Sequence, residues 1–217
     1  MKKTILIYGD SNTYGYAPAT DARYDENTRW PCLLQSYLGD DYSVIAEGLC
    51  GRTAAFNDSL TEGLCGVELV TPILNTHSPI SLLIIMLGTN DVKERFSCNA
   101  RNIAQGMLRL VQKASATPCW KTKPNILIVS PPIMRANYGD LVFGAEMGIG
   151  CHEKSAALGE EYRRIAGLAD CHFIDAALLP NVVMSEIDGM HLTPEAHAAL
   201  AKGIADKLIQ EADVFGI

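Results

Sequence analysis

The stretch TILIYGDSN, residues 4–12, carries the first structural decision. A short run of apolar and β-favouring residues stops at Gly9. An acid, a hydroxyl and an amide follow at once. A run this short between polar flanks reads as a strand covered on both faces, and it falls far short of the roughly 20 apolar residues of a membrane span. Two lysines precede it, as at the start of a signal peptide. The apolar run is too brief for that, and no small-residue cleavage site follows. No other stretch approaches a membrane span.

Outward from this strand the same pattern recurs. Apolar runs at 43–46, 82–87, 125–130 and 172–175 read as further strands. Helical spacing lies between them. Trp30, Leu33, Leu34, Tyr37 and Leu38 fall on one face, as do Ile103, Met107, Leu110 and Val111. A last helix opens at LTPEAH, with Thr193 as its cap, Pro194 in its first turn and Glu195 at the positive dipole end. Its apolar stripe is Leu200, Ile204 and Leu208. Strands alternating with helices imply right-handed crossovers and a parallel sheet covered on both faces. Five such strands predict the order 2-1-3-4-5. Ligands then bind beyond the carboxyl ends of strands one and three, where the winding reverses. The residues there are GDSN (9–12) and GTND (88–91).

Composition narrows the function. The chain has 217 residues, 48% of them hydrophobic, enough for one sizeable core, and is expected to form one domain over 1–217. A net charge of −7 repels phosphate backbones and anionic lipid, which argues against nucleic-acid and membrane partners. Seven cysteines, an odd count with no CxxC, read as free thiols in a reducing cytoplasm. Five scattered histidines form no HExxH pair, and no metal site is expected.

Ser11 on the turn after strand one is open to three readings. GDSN can be a helix-capping turn. It can be a phosphate or flavin cradle of flavodoxin type, although no GK[ST] occurs. It can hold a nucleophile, although Thr13 stands where a GxSxG elbow needs glycine. A nucleophilic serine needs a base, and the base an orienting group. EIDGMH (186–191) supplies both. Asp188 lies three residues before His191, a spacing that lets the carboxylate reach Nδ1 and leaves Nε2 for a hydroxyl. His197 lies within a helix pattern without a placed acid. His77, His152 and His172 show no partner either. Oxyanion donors are also at hand: the Ser11 N–H, the N–H of Gly51 in GLCGRT (48–53), and the Asn90 side-chain amide.

These four segments resemble the ordered blocks of the SGNH hydrolases, the GDSL-type esterases and lipases, over about residues 4–210. RWPCLLQSYLG, EGLCGRT and LLIIMLGTNDVK are most similar to the bacterial arylesterase branch. The resemblance implies a flavodoxin-like three-layer α/β/α sandwich and ester hydrolysis without cofactor or metal. By carry-over Ser11 is the nucleophile, His191 the base and then the acid, and Asp188 the orienting carboxylate. Ser11, Gly51 and Asn90 form the oxyanion hole. Asn12 replaces the leucine common after the serine, a change read as saying little about the chemistry. Cys50 stands where relatives often carry a small polar residue.

The expected substrate is a small-molecule ester with an acetyl-like acyl group. Acyl transfer to alcohols can compete with hydrolysis. A carbohydrate O-deacetylase and a thioesterase or lysophospholipase with the same triad are the alternatives. Tyr14, Tyr16, Trp30, Phe56, Met134 and Phe143 are candidate pocket residues, with ordinary packing as the competing reading. Segment 134–154 has no clear periodicity and is expected to be an irregular loop over the site or a neighbouring subunit. Members of this branch often form homo-oligomers.

Overall fold

The computed structural model describes residues 2–216. In chain order the elements are β1 (Lys3–Gly9), α1 (Ser11–Tyr14), β2 (Tyr16–Ala17), β3 (Ala22–Arg23), α2 (Trp30–Leu38), β4 (Tyr42–Gly48), α3 (Gly66–Thr76) and β5 (Leu82–Met86). There follow α4 (Ala100–Ser115), β6 (Ile126–Ser130), α5 (Gly144–Met147), α6 (Cys151–Leu168), β7 (His172–Asp175), α7 (Pro194–Gln210) and α8 (Ala212–Phe215). The main sheet has five parallel strands in the order β4-β1-β5-β6-β7. The labels differ from 2-1-3-4-5 because a small antiparallel hairpin, β2 with β3, lies outside this sheet and was not anticipated.

The alternation of side chains along each strand builds two cores. Ile5, Ile7, Leu82, Ile84, Met86, Leu127 and Val129 meet α2 and α7. Leu6, Tyr8, Leu83, Ile85, Ile126 and Ile128 meet α3, α4 and α6. Continuous apolar strands are thus the direct result of helices on both faces. Thr193 caps α7 by accepting the Ala196 N–H at 3.1 Å, and Pro194 opens the helix.

Besides the single-turn helices α1, α5 and α8, two longer helices were not foreseen. In α3 the buried positions are Gly66, Val70 and Leu74, but Pro72 lies inside the helix and reads locally as a breaker. In α6 the buried stripe includes Cys151, Ser155 and Gly159, too small and polar to stand out as an apolar face. Segment 134–154 is correspondingly less irregular than expected. It carries a 3₁₀ turn (Tyr138–Asp140), α5 and the first turn of α6. Among the described residues no helix is long and apolar enough to cross a membrane.

The register sets up the site. Gly9 pairs with Gly48 on one side and Met86 on the other. The segments that follow these three residues therefore leave the sheet together at its carboxyl edge. They contain Ser11, Gly51 and Asn90.

Candidate active site

Ser11 begins the single turn of α1. Asp10 caps that turn, its Oδ1 accepting the Asn12 N–H at 2.9 Å. Gly9 permits the sharp reversal, since a Cβ there would sit on Thr13 Oγ1. Burial pushes the Asp10 carboxyl up to about 6 against the Asn12 N–H, the His191 charge and Arg52, which hold it down.

The loop between β7 and α7 brings in Asp188 and His191. Asp188 is fully buried, and its Oδ1 accepts the N–H groups of Met190 and His191 at 3.0 and 3.1 Å. Its Oδ2 lies 2.6 Å from His191 Nδ1. On the far side of the ring, Nε2 lies 2.8 Å from Ser11 Oγ. A proton on Nδ1 directed at the carboxylate leaves Nε2 as the acceptor for the hydroxyl. Burial raises the Asp188 pKa. The hydrogen bond and charge of His191 and the two backbone N–H groups outweigh it, and the carboxyl lies below its usual range. It is therefore an anion at neutral pH.

Gly51 and Asn90 line the same cleft as Ser11 and His191, a space of about 250 Å³. Gly51 has a φ of 84°, in the left-handed region that suits glycine. Asn90 Nδ2 donates to the Arg52 carbonyl at 3.2 Å, tying the two segments together. Asp91 tightens the same junction. Both its oxygens accept the Ala54 N–H, at 2.9 and 3.0 Å. Its complete burial lifts its pKa to about 7. These bonds make the segment after β4 a rigid neighbour of the serine.

The pocket residues divide. Phe143 lines the cleft and meets the His191 ring edge-on, with centroids 6.0 Å apart. Tyr16 tilts against the same ring at 4.5 Å. Three of the other expectations are corrected. Trp30 is fully buried in the core under α2 and α7 and does not reach the cleft. Met134 is packed in the opposite core, its N–H donating to Ser155 Oγ at 3.1 Å. Tyr14 faces the Arg23 guanidinium at 4.2 Å and is not part of the cleft wall. In all three the large apolar body found a neighbour nearer than the site. Phe56 stacks on Phe96 with centroids 5.4 Å apart, likewise outside the cleft.

The histidines divide too. His77 does have a partner, Glu47 Oε1 at 2.8 Å, supplied from β4 and invisible in local sequence. His197 is buried and its Nδ1 accepts the Trp30 N–H at 3.3 Å. Burial, with the nearby His191 charge, drops its pKa to about 3.

Local sequence did not single out Lys93 and Glu146. Lys93 is almost completely buried, 3.3 Å from Glu146 and 3.7 Å from Asp58, and both Lys93 and Glu146 line the cleft. Arg95 bridges the same two acids. This cluster clips α5 to the loop that carries Asp58. Leu64, Thr61, Thr89, Met147 and Met190 complete much of the wall. Among the described residues, no three His, Cys, Asp or Glu side chains gather as a set of metal ligands.

A parallel α/β sheet with a serine, an imidazole and a carboxylate in line at its carboxyl edge defines a hydrolase architecture. The GDSL-like lipase/acylhydrolase pattern matches residues 7–199, and the chain belongs to that family, in its arylesterase branch. It is a carboxylic ester hydrolase. A carbohydrate acetylesterase family member from Sinorhizobium meliloti is similar at 37% identity and a TM-score of 0.87, over 99% of this chain and 100% of that one. The aryl esterase of M. smegmatis is similar at 32% identity and a TM-score of 0.85, over 96% and 99%. Comparison with curated protein sequences gives no significant match.

Proposed function

We propose that this enzyme is a serine esterase for short, acetyl-like acyl groups, working through an acyl-enzyme. The reading is carried by one observation: the line Asp188–His191–Ser11, with contacts of 2.6 and 2.8 Å, ends on the cleft. Ser11 Oγ attacks the ester carbonyl carbon while its proton passes to His191 Nε2. Asp188 balances the imidazolium. The bond to the alcohol oxygen breaks, and the alcohol departs with the proton from Nε2. Water then gives a proton to Nε2, attacks the acyl carbon and releases Ser11, which recovers that proton. The Ser11 and Gly51 N–H groups and the Asn90 amide stabilise the oxyanion in both halves. Asn90 keeps one N–H on the Arg52 carbonyl and has a second for the substrate.

A cleft of about 250 Å³ supports small acyl groups, since pockets for drug-sized ligands run to roughly 300–1,000 Å³. Its apolar walls, Tyr16, Phe143, Met147 and Met190, support acyl transfer when an alcohol outcompetes water. The ratio of ester to acid formed in an alcohol–water mixture reads this directly. A second reading is an O-acetylated sugar as substrate. It draws on Lys93, Glu146 and Thr61, which offer polar partners to hydroxyl groups, and on the likeness to a carbohydrate acetylesterase. Seven free thiols support a reducing, cytoplasmic setting. Exposed Leu60, Val142 and Ile149 support self-association on the face that carries α5.

The test compares acetyl, butyryl and octanoyl p-nitrophenyl esters with wild type and Ser11→Ala. The expected result is a preference for acetyl, and a loss of about 10⁴–10⁶ in rate in the variant. Activity on octanoyl alone returns the protein to the thioesterase or lysophospholipase class. An unaffected variant refutes the serine mechanism.

A further inference from the structure

Asn12 follows the serine and is buried. Its side chain does not point to the cleft. It crosses to the loop between β7 and α7, where Nδ2 donates to the Met190 carbonyl at 3.0 Å and Oδ1 accepts the Leu192 N–H at 2.9 Å. These are the two residues flanking His191. The amide thus grips both peptides beside the imidazole, 178 and 180 residues away along the chain.

The other restraints on this loop come from its own neighbourhood. Asp188 holds the N–H groups of Met190 and His191. The Ser185 N–H donates to the His191 carbonyl at 2.7 Å, and the Arg135 N–H to the Gly189 carbonyl at 2.9 Å. Each shapes the loop or ties it to segment 134–154. Asn12 ties it to the turn that carries Ser11. The clamp is the residue next to Ser11 in the chain, so serine and imidazole share one rigid frame.

We infer that Asn12 is a positioning residue that sets the Ser11–His191 distance by clamping the peptides on either side of His191. This rests on the proposed serine mechanism. A leucine, the residue common here in the wider family, can make neither bond and must leave a buried N–H and carbonyl unpaired or rearrange the loop. Position 12 is silent about the chemical step, and it governs the geometry that step requires.

The experiment compares wild type, Asn12→Leu and Asn12→Asp. The aspartate variant is nearly isosteric and keeps an acceptor for the Leu192 N–H, so it guards against misfolding of the leucine variant. The remote core truncation Leu208→Ala controls for stability alone. Three quantities are read: kcat and KM for an acetyl ester, the rate of Ser11 phosphonylation by a fluorophosphonate, and the low-field NMR resonance of the His191 Nδ1 proton. In the Asn12 variants, kcat and phosphonylation are expected to fall together by up to about 10²-fold, with KM nearly constant, as for a reacting group displaced by about 1 Å. The resonance is expected to broaden or shift. Leu208→Ala is expected to lower Tm without changing kcat per folded molecule. A kcat within about twofold of wild type in folded Asn12→Leu, with an unchanged resonance, overturns the inference. If wild type cleaves no ester, the serine mechanism falls instead, and the resonance alone still tests the clamp.

Discussion

Single side chains divide into those that the chain announces locally and those that only the fold can employ. The Asp188–His191 spacing was legible because both partners sit on one turn. The His77–Glu47 pair was not, because its members lie 30 positions apart and meet through sheet order. Trp30 and Met134 were misread as pocket candidates because an aromatic or a thioether near a loop serves a core equally well. At the site, Asn90→Ala removes one proposed oxyanion donor, and kcat is expected to fall about 10²–10³-fold with little change in KM. An unaltered kcat would remove Asn90 from that role. His197 gives a prediction of a different kind. An unfolded histidine takes up its proton near 6.5, whereas His197 in the fold resists until about 3. Between those values the unfolded chain binds more protons at this position, so the contribution of His197 to stability falls as the pH drops from about 6.5 towards 3, while the raised Asp10 and Asp91 carboxyls contribute in the opposite direction. Urea unfolding across this range should show a slope of up to about 1.4 kcal/mol per pH unit from this group, and His197→Gln should lack it. Equal slopes in the two proteins would exonerate His197.

At the level of helices and strands, patterning was most reliable where burial is complete. The strands β1, β5 and β6 are apolar along most of their length because helices cover both faces, and each was anticipated to within a residue or two at its ends. The helix α4 was equally plain, its buried Ile103, Met107, Leu110 and Val111 returning every three or four positions. By contrast α6 mixes small residues, Cys151, Ser155 and Gly159, into its inner face. Gly159 lies there because a Cβ would collide with the Asp175 carboxylate at the end of β7. Close packing of a helix on a strand end thus interrupts the apolar stripe that Leu158, Tyr162 and Ile165 otherwise form. The same scale separates two aromatic residues. Trp30→Ala, at the start of α2, is expected to cost about 3–5 kcal/mol of stability while leaving ester chain-length preference intact. Phe143→Ala, just before α5, is expected to leave Tm nearly unchanged and to widen the cleft, raising butyryl over acetyl activity. Chemical denaturation and a chain-length series on both variants check the contrast, and a reversal of the two effects would put Trp30 in the cleft and Phe143 in the core.

For the molecule as a whole, the position of the site was more legible than its walls. Strand order alone put Ser11 and Asn90 at one edge, because a winding reversal leaves a crevice there, and Gly51 was added as a candidate oxyanion donor. The walls come from β2, from α5 and from the Asp58–Lys93–Glu146–Arg95 cluster, none of which has a periodic or motif signature. Apolar Leu60, Val142 and Ile149 stand exposed beside that edge, at 77%, 71% and 75%. Sedimentation is expected to give a multiple of the monomer mass, and Leu60→Glu with Val142→Glu to shift it towards the monomer. A monomeric wild type at micromolar concentration would exclude self-association through this face. One further consequence belongs to synthesis. The hydroxyl of Ser11 and the ring of His191 lie 2.8 Å apart in space and 180 residues apart in the chain. A ribosome exposes the first long before it has made the second. The growing polypeptide can complete most of its sheet while Ser11, the proposed nucleophile, lacks its proposed base, so on that reading it stays chemically inert until translation is nearly finished. Catalysis is then a certificate that the two ends of the molecule have found each other, and in refolding its return should trail the return of helical and sheet signals.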